Sequence, residues 1–184
     1  MILEIVKYGE PVLRQKGKAV VEITDEVKTL AEDMIETMRE ANGVGLAAQQ
    51  VGVPLLVTVL EVEETEERPS TMIVDGLLVN IAEWMPMVLL NPVLELGEDK
   101  VDATEGCLSF PEITAEIERA QWVRSKGKLL DGREIEFEAT GLLARALQHE
   151  TDHLNGILFI DRMRSATKTA LAGKLKRLQR EAKV

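Results

Sequence analysis

His149-Glu150-Thr151-Asp152-His153 constrains the fold more than any other stretch of this 184-residue chain. Imidazoles four residues apart meet one ion on a helix, where positions i and i+4 share a face. Glu150 is offset just enough to lean toward a water on such an ion and act as its general base. A polar helix face with two unrelated histidines is the simpler alternative. Against it stands scarcity, because the chain has two histidines and both lie in the motif. The flanks read as a helix too: GLLARALQHETDHL follows Thr140 and stops at Asn155-Gly156.

A catalytic site of this kind needs a third protein ligand and an open fourth position. The extension H-E-x-x-H-x-x-G-x-x-H fails, since Gly156 is in place but the last position is Phe159. The sole glutamate after Glu150 is Glu181, in a basic tail, which makes a poor ligand. That leaves Cys107, in Glu105-Gly106-Cys107-Leu108-Ser109. A lone cysteine is usually a small buried apolar residue. Beside two histidines that lack a third ligand, it reads instead as a thiolate that completes Cys107, His149 and His153 and leaves the fourth position for water.

The rest of the chain favours an α+β domain. Thr24 caps an expected helix, DEVKTLAEDMIETMREANG, whose apolar positions recur at helical spacing and whose stop is Asn42-Gly43. Residues 55–62 and 87–96 read as strands, the second interrupted at Asn91-Pro92, and Asp131-Gly132 reads as a hairpin turn. Five glutamates between 61 and 67 mark a solvated loop, and the acidic 61–87 segment is the hardest to place. The expectation is one compact domain over 1–184. It has antiparallel or mixed sheets around a central H-E-x-x-H helix, and a basic C-terminal helix over 165–184.

Charge and composition narrow the partners. Residues 162–184 hold eight Lys/Arg against one acid, +7, while the first 161 hold 14 against 31, −17. A body of that sign is a poor binder of DNA or of a membrane surface. Aromatics make up 3% of the chain, too few for a base-stacking platform. One cysteine excludes an intramolecular disulfide, and the N-terminal MILEIVKYGEP shows no apolar signal region, so a cytoplasmic setting is expected.

Gly43-Val44-Gly45-Leu46-Ala47-Ala48-Gln49-Gln50 matches the dinucleotide pattern G-x-G-x-x-A, but it follows a helix where that pattern requires a strand. Taken with EGCLS (105–109) and QHETDH (148–153), it instead resembles the peptide deformylases. That family's motifs, G-x-G-L-A-A-x-Q, E-G-C-L-S and Q-H-E-x-D-H, all stand here in order. VKYGEPVLR near the start and LNGILFIDR after the metal helix look like the family as well.

The resemblance implies hydrolysis of the formyl group from formyl-methionyl nascent polypeptides, with release of formate. Metal-bound water would attack the formyl carbon, with Glu150 as general base and then acid. The side chain of Gln50 and the backbone N–H of Leu108 would donate to the oxyanion. Val44 and Gly45 would line the cleft and pair with the peptide, and Val44, Leu142 and Ala146 would form the methionine pocket with Arg145 at its rim. Ferrous iron is the implied ion, Fe(2+), with Ni(2+) or Co(2+) as working substitutes and Zn(2+) a poorer one, although ligand type alone suits zinc. The basic helix would dock on the ribosome near the tunnel exit. Other classes left open by the residues are a metallopeptidase of H-E-x-x-H type, which does not require Cys107, and a non-catalytic metal- or peptide-binding homologue. The latter would be expected to have lost Glu150, Gln50 or a ligand, and all are present.

Overall fold

The computed structural model describes residues 1–182, so the last two positions of the expected basic helix, Lys183 and Val184, lie outside the described residues. In chain order the regular elements are α1 (Asp25–Glu40), β1 (Gly45–Ala47), β2 (Val57–Leu60), β3 (Ser70–Val74), β4 (Leu77–Val79), β5 (Met87–Leu96), β6 (Lys100–Cys107), β7 (Phe110–Ala120), β8 (Trp122–Leu129), β9 (Glu134–Thr140), α2 (Gly141–Leu154) and α3 (Ser165–Ala182). They form a single α+β domain. Seven strands make one antiparallel sheet in the order β1-β2-β5-β8-β9-β3-β4, and β6 and β7 pair separately as a long hairpin.

Local chemistry accounts for the elements that the sequence marks most strongly. The Thr24 hydroxyl accepts from the Val27 N–H and caps α1, whose buried stripe of Val27, Ala31, Met34 and Met38 faces β1 and β2. Gly132, with φ +93°, sits in the tight turn that joins β8 to β9. The break at Asn91 is a bulge with φ +53°. The Asn91 side chain accepts from the Val20 N–H at 2.8 Å and donates to the Val20 carbonyl at 2.9 Å, so it fastens the N-terminal segment to the sheet.

The acidic 61–87 segment is a loop followed by β3 and β4, which extend the sheet beyond β9. It also positions the metal helix. Thr140 makes no cap bond, and the first free N–H groups of α2 are met from this segment: Leu142 donates to the Pro69 carbonyl at 3.0 Å and Leu143 to the Ser70 hydroxyl at 2.9 Å. Gly141, with φ +67°, lets the chain pass so close to the Pro69 carbonyl that a Cβ there would overlap it.

α2 then runs through the interior, with Leu143, Ala144 and Leu147 packed among Leu89, Val123 and Phe137. α3 lies on a second cluster: Leu175 and Leu178 are buried, and Leu171 partly so, against Leu13, Phe110 and Phe159. No helix among the described residues is long and apolar enough to cross a membrane.

Candidate metal centre and active-site cleft

Two elements that pair with nothing in common bring the ligands together. Cys107 ends β6, at a register shift in the hairpin, and His149 and His153 lie one helical turn apart on α2. Their ligand atoms fall within 4.8 Å of one another, with Cys107 Sγ 3.3 Å from His153 Nε2. One thiolate and two imidazoles form a donor set suited to a divalent transition metal.

The surroundings fit that ion. The Glu105 carboxylate lies 2.9 Å from His149 Nδ1, an arrangement that holds the proton there and turns Nε2 toward the ligand cluster. Burial together with the neighbouring His149 holds His153 well below the usual histidine range, so it stands as a neutral imidazole. For His149 burial pulls downward, but hydrogen bonds with Cys107 and Glu105 outweigh it and raise its pKa; a cation bound here displaces a proton.

Glu105 is the hub of a buried charge network. Arg119 grips both of its oxygens, at 2.9 and 3.0 Å, and Arg145 adds a third guanidinium contact at 2.6 Å. Burial pushes the Glu105 carboxyl upward, yet the bonds from His149 and Arg119 prevail and bring it down to about 2. The chain of pairs continues outward from Arg119 to Asp152 (2.7 Å) and from Asp152 to Arg162 (2.9 Å).

On the other side of the ligands lies a cleft of about 490 Å³, lined by Val44, Gly45, Gln50, Cys107, Leu108, Leu142, Ala146, His149 and Glu150 among others. His153 sits beneath it, fully buried. Every residue singled out from the sequence is therefore at one site. Arg145 lines the cleft as well, but it is largely buried there, and its guanidinium joins the Glu105 network, where that carboxylate and two backbone carbonyls satisfy it.

Gln50 is held from both ends of its amide. Its Oε1 accepts from the Ala47 N–H at 2.9 Å, and its Nε2 lies 3.2 Å from Ser109 Oγ and 3.6 Å from Cys107 Sγ. Glu150 is buried, its Oε1 has no hydrogen-bond partner, and burial raises its pKa to about 7. Gly45 explains how a carboxylate fits so deep: a Cβ there would stand 2.5 Å from Glu150 Oε2. The glycine that the sequence assigns to close approach of a peptide also makes room for Glu150.

Sequence reasoning left three functional contributors without a role: Glu105, Arg119 and Asp152. A signal existed for the first. Glu105 is two residues before Cys107 on a strand, hence on the same face, and an acid beside a metal ligand is a candidate to orient the next one. Arg119 gave no such signal, because its meeting with Glu105 depends on the β6–β7 register.

The comparisons with known proteins agree with this geometry. The family model described as Polypeptide deformylase matches residues 2–169. A peptide deformylase of Methylacidiphilum infernorum is 42% identical over 180 residues, 98% of this chain and 94% of the relative. Among solved structures, peptide deformylase from Thermus thermophilus superposes with a TM-score of 0.81 at 38% identity, covering 98% of this chain and 99% of that one. A peptide deformylase from Synechococcus elongatus in complex with actinonin gives 0.79 at 35% identity, covering 95% and 86%.

Two outcomes test the site. Glu105→Gln leaves two buried guanidinium groups facing a neutral amide, and a loss of about 3–5 kcal/mol is expected in urea unfolding; a variant as stable as the parent would refute the hub. Gly45→Ala should displace the Glu150 carboxylate and lower turnover about 100-fold, with one equivalent of metal still bound by elemental analysis.

Proposed function

The chain belongs to the polypeptide deformylase family and is a metal-dependent hydrolase that removes N-terminal formyl groups; on that premise we propose that Glu150, Gln50 and the Leu108 backbone carry its proton transfers and its oxyanion. The observation that carries this reading is a buried, unpartnered Glu150 oxygen in the cleft that holds the Cys107, His149 and His153 donor set. A divalent cation bound by those three residues supplies Lewis acidity and lowers the pKa of water to near neutrality.

Glu150 takes the proton of the attacking water and returns it to the amine nitrogen as the C–N bond breaks, which yields formate and a free N-terminus. A carboxyl held near 7 suits both halves of that exchange. The Gln50 Nε2 donor, fixed in place by the Ala47 N–H on its other end, and the N–H of Leu108 face the oxyanion. One such donor is worth about 3 kcal/mol in a site that excludes water.

Formylated nascent peptides are the substrates that the family implies. Val44, Leu142 and Ala146 form the apolar wall for the methionine side chain, and the backbone at Val44-Gly45, where the edge strand β1 begins, pairs with the extended peptide. Ferrous iron is the proposed native ion. Its thiolate ligand makes activity sensitive to air, with nickel or cobalt as working replacements and zinc a poorer one. The proposed setting is cytoplasmic, with α3 docking on ribosomal RNA near the tunnel exit. Burial of Leu175 and Leu178 on the body leaves Lys174, Lys176, Arg177 and Arg180 exposed for that contact.

Anaerobic turnover of formyl-Met-Ala-Ser tests the mechanism. Glu150→Ala should retain one metal ion and lose about 100- to 10,000-fold in formate release; a metal-loaded variant with parental turnover rules out Glu150 as the base. For the tail, the triple substitution of Lys174, Lys176 and Arg177 by Ala should weaken ribosome co-sedimentation at low salt and leave short-peptide turnover within about twofold. It is a better test than deleting α3, which would strip the cover from Phe110 and Phe159. Unchanged co-sedimentation contradicts the docking surface.

A further inference from the structure

The metal ligands come from two units that share no sheet. Cys107 belongs to the β6–β7 hairpin, whereas the histidines belong to α2, packed on the seven-stranded sheet. Something must fix the distance between hairpin and helix, because the thiolate and the imidazoles can share an ion only over a narrow range of separations. His149 itself is tied to Glu105 on β6, but that bond ends on the carboxylate and constrains neither strand further along.

Arg145 closes the gap. It lies one helical turn before His149 on α2, and its side chain, which also lines the cleft, crosses to the hairpin. Nη1 donates to Glu105 Oε2 at 2.6 Å and to the Ile117 carbonyl on β7 at 2.8 Å, and Nη2 donates to the Val101 carbonyl on β6 at 2.8 Å. One guanidinium thus holds both strands of the hairpin and the carboxylate that orients His149. Arg119 on β7 reaches α2 at Asp152, and Gln148 on α2 holds the Ala120 N–H and carbonyl at the end of β7, but neither side chain bonds the β6 backbone.

We propose that Arg145 is a positioning residue for the metal centre, a clamp that sets the spacing between Cys107 on the hairpin and His149 and His153 on α2 through its bonds to Glu105, Val101 and Ile117. The inference rests on the assignment of those three ligands. A planar fork with several fixed donors is what the geometry requires, and a lysine, with one point of charge, can satisfy Glu105 but not both strands at once. Loss of the clamp loosens the donor set without removing any donor, so the metal leaves faster while the ligands and Glu150 remain.

The test uses the full chain loaded with one equivalent of cobalt(II), whose thiolate charge-transfer band reports Cys107 ligation. Release of cobalt to an excess of chelator is followed by loss of that band for the parent, Arg145→Met and Arg145→Lys, beside Phe137→Leu as a core variant outside the Glu105 network. Arg145→Met should release cobalt about tenfold faster, Arg145→Lys should recover part of the difference, and Phe137→Leu should match the parent. Release from Arg145→Met within about twofold of the parent overturns the clamp, as does equal acceleration in Phe137→Leu, which would make the effect one of general stability. Should Arg145→Met fail to fold, Arg145→Lys carries the decision: parental release rates from it overturn the clamp as well. A parent protein that binds cobalt without the thiolate band overturns the ligand assignment, and the clamp with it; where the parent shows the band, any change in release is traceable to Arg145 alone.

Discussion

A single buried carboxylate, Glu105, carries more of this structure than its size suggests. Two guanidinium groups and one metal-ligand imidazole converge on its two oxygens. Ion pairs withdrawn from water are costly, and an apolar replacement of equal volume often stabilises a fold as well. The network is thus better explained by what it orients than by net stability. Glu105 fixes the proton of His149 on Nδ1, and the remaining nitrogen is aimed accordingly. The metal centre and the outward chain through Arg119, Asp152 and Arg162 both meet at that one group, while the join between hairpin and helix is shared with the backbone bonds of Arg145 and Gln148.

The cleft side of the ligands obeys a different constraint, that of space. Glu150 must be buried deeply enough for its pKa to rise, yet a buried carboxylate beside a strand edge ordinarily collides with a Cβ. Gly45 removes the collision, and Gln50 is pinned by the turn that follows the same strand. The segment that presents the peptide-pairing edge is therefore the one that admits the base and fixes the oxyanion donor. Its glycines answer to both packing and chemistry, and for that reason the dinucleotide pattern they mimic is coincidental.

Legibility of the sequence followed the range of the interactions. α1, α2 and the β8–β9 hairpin could be read because a cap, an apolar stripe or an Asp-Gly turn is a local signal. The ligand set could be read because histidine and cysteine are so scarce. β3, β4 and the β6–β7 hairpin were harder. β6 exposes most of one face and lacks the alternation of a half-buried strand, and its turn coincides with the motif around Cys107. The hairpin partners of Arg145 are illegible for the same reason. Its helical position gives its direction toward the cleft, but its partners on β6 and β7 are set by register, and register between distant strands leaves no mark in one sequence.

Scarcity also shows where the chain concentrates its rigid side chains. Of six aromatics, Tyr8, Phe110 and Phe159 form one group, Tyr8 stacked on Phe110 at 4.8 Å and Phe110 edge-to-face with Phe159 at 4.9 Å, and Phe159 lies 5.9 Å from the His149 ring. Leu171, Leu175 and Leu178 of α3 complete that cluster. Large flat side chains lose little freedom on burial and form a stiff wall, and here the wall stands directly behind a metal ligand. The basic helix is consequently no detachable appendage. Its apolar face belongs to the packing that backs His149, while its charged face lies exposed, so the two faces of one helix answer to different constraints.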